Sequence, residues 1–140
     1  MKPNIMKHIK YQLIKVKINS AGDSVRFSAD TDKLYSRVEG LYVSLPYDNS
    51  HFGSTLELKI AEQEILPEGF ETKLLAASQS TSPNERFFML GKDENIEASG
   101  SKVEGRLTDG GFAVGVTFPY TAVIYLKLKN DITSDELASE

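Results

Sequence analysis

An all-β fold, an antiparallel β-sandwich of two sheets with jelly-roll-like order and eight or nine strands, is predicted by three features of the sequence. From Tyr11 onward apolar residues recur with a period of two rather than the 3.6 of a helix. Glycine, proline, asparagine and aspartate interrupt that pattern at intervals of about ten residues. The 140 residues then hold more strands than a single open sheet of this length accommodates, so two layers must pack face to face. The length suits one domain, and 40% hydrophobic with 26% charged residues suits a folded, soluble chain.

Along the chain, Ile14, Val16 and Ile18 alternate with Lys15 and Lys17, a strand with one dry and one wet face. Residues 19–23 turn the chain into a short strand at Val25 and Phe27. In residues 34–45, Leu41, Val43 and Leu45 share a side, and Gly40 marks a bulge or bend. Residues 46–54 form a loop rich in turn formers. Leu56, Leu58 and Ile60 alternate with Glu57 and Lys59, and Pro67, Glu68 and Gly69 close that strand. Further strands are expected at residues 72–77, 86–90 and 102–107, with a polar loop over 78–85. Asp109, Gly110 and Gly111 have the chemistry of a tight hairpin leading into a strand at Phe112, Val114, Val116 and Phe118. The last strand carries Ile124, Leu126 and Leu128 on one face and Tyr125, Lys127 and Lys129 on the other. At the ends, Ile5, Ile9 and Leu13 have helical spacing, and Thr133 with Glu136 matches a capping box.

The net charge of −4 is unevenly spread. Residues 1–17 contain Lys2, Lys7, Lys10, Lys15 and Lys17 and no acid, whereas residues 131–140 contain Asp131, Asp135, Glu136 and Glu140 and no base. The chain therefore divides into a basic N-terminal arm (1–10), a sandwich domain (11–129) and an acidic C-terminal tail (130–140). Opposite charge at the two ends suits contact with a neighbouring copy, through Lys2, Lys7 and Lys10 on the basic side. Nucleic acid could engage only that arm, which lacks the arginines and interleaved aromatics of a nucleic-acid groove.

Enzymatic chemistry finds no motif. There is no cysteine, hence no thiolate and no sulfur-ligated metal, and His8 and His51 stand in unrelated segments. No G-x-S-x-G elbow occurs, and Gly91-Lys92 lacks the rest of a phosphate loop. The densest acids, Glu57, Glu62, Glu64, Glu68 and Glu71, fall on a wet face and around a turn, where they solubilise. The pair Asp30 and Asp32, and the group Asp93, Glu94 and Glu97, do not follow a calcium loop. The expectation is a chain without cofactor or metal, and not an enzyme. Tyr42, Tyr47, Phe52 and Tyr120 could line a patch for a glycan or peptide, with Tyr47, Phe52 and Tyr120 as the binding candidates. Without tryptophan, core packing or contact between subunits explains these rings as well. No run is apolar enough for a membrane helix or an export signal, so neither membrane insertion nor export is expected.

Four stretches, Leu41-Tyr-Val-Ser-Leu-Pro46, Ser54-Thr-Leu-Glu-Leu-Lys-Ile60, Pro83-Asn-Glu-Arg-Phe-Phe-Met-Leu90 and Gly111-Phe-Ala-Val-Gly-Val-Thr-Phe118, give the chain a resemblance in strand rhythm and size to small single jelly-roll structural proteins of tailless icosahedral bacteriophages. The resemblance contains no diagnostic motif and transfers no site residue. It implies a capsid vertex or other minor virion protein, located in the virion or cytoplasm, that forms homo-oligomers and contacts other structural proteins. The expected function is thus non-enzymatic assembly through loops and termini; the competing expectation is a ligand-binding or adhesion module.

Overall fold

The computed structural model describes residues 9–46, 53–75, 87–90, 96–111 and 116–130. Strands occupy β1 (Ile9–Ile18), β2 (Ser24–Asp30), β3 (Arg37–Ser44), β4 (Thr55–Ile60), β5 (Gln63–Leu66), β6 (Phe88–Met89), β7 (Lys102–Thr108) and β8 (Tyr120–Lys129). Since β6 is only two residues long, the longer strands among the described residues number slightly fewer than the eight or nine expected.

These strands build two four-stranded antiparallel sheets, β1-β8-β3-β6 and β2-β7-β4-β5. First pairs with last, second with seventh, third with sixth and fourth with fifth, while β8–β3 and β7–β4 contacts complete the layers. A long antiparallel ribbon rolled up on itself gives that order, which is a jelly roll. Alternation supplies the core. Val16, Ile18, Leu41, Val43, Ile124, Leu126 and Leu128 of the first sheet face Leu56, Leu58, Ile60, Val103 and Leu107 of the second, and all are buried. The bulge expected near Gly40 is present, because the β3–β8 register shifts between Val38 and Gly40 and leaves Glu39 as the extra residue.

Three expectations are corrected, and one hairpin was not foreseen. Ile9 and Leu13 belong to β1 and are exposed, because pairing with Lys129 and Tyr125 of β8 overrides their helical spacing. Residues 72–74 form a 3-10 turn instead of a strand. Thr72 donates from its backbone N–H and from Oγ1 to the Ser54 carbonyl (3.0 and 3.1 Å), and local bonds from Leu74 to Glu71 and from Leu75 to Thr72 tighten the turn. The β4–β5 hairpin was not legible, since its turn residues Ala61 and Glu62 adopt φ of 52° and 66° without the usual asparagine or glycine. Finally, residues 109–111 do not open a hairpin. Both edges of β7 are already taken, by β2 and β4, and the next strand among the described residues, β8, lies in the other sheet. Residues 112–115 of the strand expected there, and the capping box at Thr133 and Glu136, lie outside the described residues.

Candidate functional site

The outer face of the first sheet departs from the polar exterior that alternation normally produces. On β1 the residues in phase with Lys15 and Lys17 are Ile9, Tyr11 and Leu13, which are 38%, 51% and 48% exposed. The β1–β8–β3 register sets Leu13 beside Tyr125 and Tyr125 beside Tyr42. Phe87 lies across this row, its ring centroid 5.4 Å from that of Tyr11 and 5.9 Å from that of Tyr42, while Tyr42 and Tyr125 are also 5.9 Å apart. Four aromatic rings and two aliphatic side chains thus form a ledge along one edge of the sandwich, with β1 as its unshielded border. No backbone hydrogen bond joins residues 9–17 to anything but β8 among the described residues. Strand edges of this kind are templates for pairing, and the lysines at 15 and 17 are the usual guard against indiscriminate pairing.

The charge on this face is one-sided. Among the described residues, Lys15, Lys17, Lys127, Lys129 and Arg37 outnumber two carboxylates: Glu97, bridged opposite Arg37, and Glu39, which the bulge presents to Lys127 (3.1 Å), Lys129 (3.4 Å) and Arg37 (3.5 Å). Partial burial of Glu39 disfavours its ionised form, but the hydrogen bonds and charges of Lys127 and Lys129 outweigh it and hold its carboxyl below the usual value of 4.5. A lowered folded-state value stabilises the fold above pH 4.5, and that contribution is lost as pH falls through the folded value. Glu39→Gln is therefore expected to flatten the acid side of the stability profile. Urea unfolding midpoints measured from about pH 6 down to about pH 3 check this: variant and parent should converge at the acid end.

The outer face of the second sheet is polar. A shallow groove of about 460 Å³ is lined by Arg26, Ser28, Glu57, Lys59, Glu64 and Glu104 over Phe27, Leu58, Leu66 and Gly105. Arg26 sits directly opposite Arg106, which pairs with Glu57 at 3.8 Å, and Lys59 lies between Glu104 and Glu64 in register. The first of these rows has one cation in excess and the second one acid in excess, so the charges balance between the rows of the groove. No cluster of three metal-ligating side chains occurs among the described residues.

Of the residues singled out from sequence, Tyr120 is 6% exposed and donates from its hydroxyl to Asp109 Oδ1 at 2.6 Å, so it ties β8 to the end of β7 inside the molecule. Lys10 is engaged within the chain by Asp32 at 2.5 Å, which clips the start of β1 to the segment after β2. Asp32 also accepts from Leu34 N–H at 2.9 Å on its other oxygen, so both carboxylate oxygens have partners within the chain. Tyr47, Phe52, Lys2 and Lys7 lie outside the described residues. Tyr42 belongs to the ledge, whereas Ile9, Tyr11, Leu13 and Phe87 were not recognised in the sequence. Their signal was present: extending the Lys15–Lys17 phase backwards puts Leu13, Tyr11 and Ile9 on the wet side. No family model, curated protein or solved structure matches the chain.

Proposed function

We propose that the chain is a non-enzymatic structural protein that assembles with other copies through the outer face of its first sheet. The observation that carries this reading is the apolar ledge of Ile9, Tyr11 and Leu13, with Phe87 packed on it, along a strand edge that has no neighbour among the described residues. Exposed contiguous apolar surface on a folded domain marks an interaction site, and an open sheet edge adds backbone groups that a partner can satisfy. The jelly-roll order and the resemblance to tailless-phage structural proteins support placing it in a virion, where domains of this architecture pack around symmetry axes.

Light scattering at micromolar concentration tests the reading. The chain should form a discrete oligomer, and Tyr11→Asp with Leu13→Asp should shift it to monomer without changing circular dichroism, because both side chains are half exposed and outside the core. A monomeric parent chain would remove the reading. The second reading, a polar-ligand or adhesion module, is favoured by the groove on the second sheet. Glycan-array binding lost when the groove residues Arg26 and Glu57 are changed to Ala, with a parent chain that stays monomeric in any salt, would promote it instead.

A further inference from the structure

We propose that the occupant of the first sheet's outer face is the acidic segment 131–140 of a neighbouring copy, laid along β1. This rests on the assembly reading and names the partner for that same surface.

Charge selects the occupant. Among the described residues the face carries five cations to two carboxylates, Glu39 and Glu97, on a chain whose net charge is −4. Lys15 and Lys17 have no ion-pair partner among the described residues. Two copies of this face packed against each other would bring two net-positive surfaces together, which like-charge repulsion opposes. The favoured partner is an acidic segment that also carries apolar side chains for the ledge. The chain contains one: Asp131, Asp135, Glu136 and Glu140 stand without a base, and Ile132 and Leu137 are interspersed among them.

Geometry agrees. The strand β8 ends at Lys129, directly opposite Ile9, so residue 131 follows within two positions of the open end of the face. Asn130 anchors that exit, accepting at its Oδ1 from the Ser36 N–H at 3.1 Å while itself only 6% exposed. Ten extended residues reach about 33 Å, as long as the ten-residue β1 itself, so a tail crossing to a neighbour can cover the whole strand. Each copy then offers one tail and one face. The contact is heterologous and closes into a ring or propagates, as a component of a symmetric shell requires.

The test uses two full-length variants. One neutralises the tail, Asp131→Asn, Asp135→Asn, Glu136→Gln and Glu140→Gln; the other disables the face, Tyr11→Asp with Leu13→Asp. Each alone should be monomeric, with apparent affinity weakened about tenfold or more. Mixed in equal amounts, they should form a one-to-one dimer and nothing larger, because only one productive tail-and-face pair remains. Matching circular dichroism spectra establish that both variants fold. Assembly of the neutralised-tail chain at the parent's size would overturn the tail as occupant while leaving the face as the assembly surface. A parent chain that is monomeric, with the tail covering its own face, would overturn both.

Discussion

Gly105→Ala is expected to destabilise the fold by about 3 kcal/mol or more. Gly105 sits in β7 between Phe27 of β2 and Leu58 of β4. A Cβ there would overlap the carbonyl oxygen of Glu57 and come within 2.8 Å of the Phe27 Cζ. The ring could swing aside, but the Glu57 carbonyl belongs to a strand held by the β4–β7 ladder and cannot. The missing side chain is what lets two strands and an aromatic ring close over one point in the middle of the second sheet. Thermal unfolding should show a midpoint lowered by about 10 °C. A change within experimental error would mean that the ladder can yield at Glu57.

Asp109→Ala is expected to cost about 2 to 4 kcal/mol. Asp109 is 6% exposed, and its carboxylate accepts from the backbone N–H of Gly22 (2.9 Å), the backbone N–H of Gly111 (3.0 Å) and the hydroxyl of Tyr120 (2.6 Å). One side chain thereby joins the β1–β2 turn, the exit of β7 and the start of β8. Removing it leaves the buried Tyr120 hydroxyl without that acceptor, while Gly22 and Gly111, which are exposed, can turn to water. Urea denaturation reads the loss.

The same network has an alkaline signature. Burial, then the hydrogen bond to Asp109 and its charge, push the Tyr120 hydroxyl well above its usual value of 10.0. A raised folded-state value gives stability that is present below pH 10 and lost as pH rises beyond it, so alkaline unfolding and ionisation of Tyr120 should coincide. Ultraviolet titration should therefore find Tyr120 silent until the fold opens.

Where one face of a strand is dry and the other wet, its place in this fold was legible. The β4 alternation of Leu56, Leu58 and Ile60 with Glu57 and Lys59, and the β8 alternation of Ile124, Leu126 and Leu128 with Tyr125, Lys127 and Lys129, survive unchanged, with the apolar set buried. Legibility failed where tertiary context set the conformation. The Ala61–Glu62 turn is held in left-handed backbone by β4–β5 pairing and not by residue preference. Asp109 reads as a hairpin residue, yet it is buried as an acceptor for groups far away in sequence, Gly22 among them. The ledge was hidden for a third reason. Leu13 and Ile14 are adjacent and apolar, so β1 is apolar on both faces at that point, and a two-residue period cannot say which face a partner covers.

Concentration-dependent amide hydrogen exchange over residues 9–17 addresses the claim that the outer face and edge of β1 hold neighbouring copies. Half of the β1 backbone groups point away from β8, and a partner laid along them would shield these while leaving the interior ladders unaffected. Over a hundredfold rise in protein concentration, β1 amides should become markedly slower to exchange, and amides of β4 and β7 should keep their rates. Exchange in β1 that does not change with concentration would contradict the account.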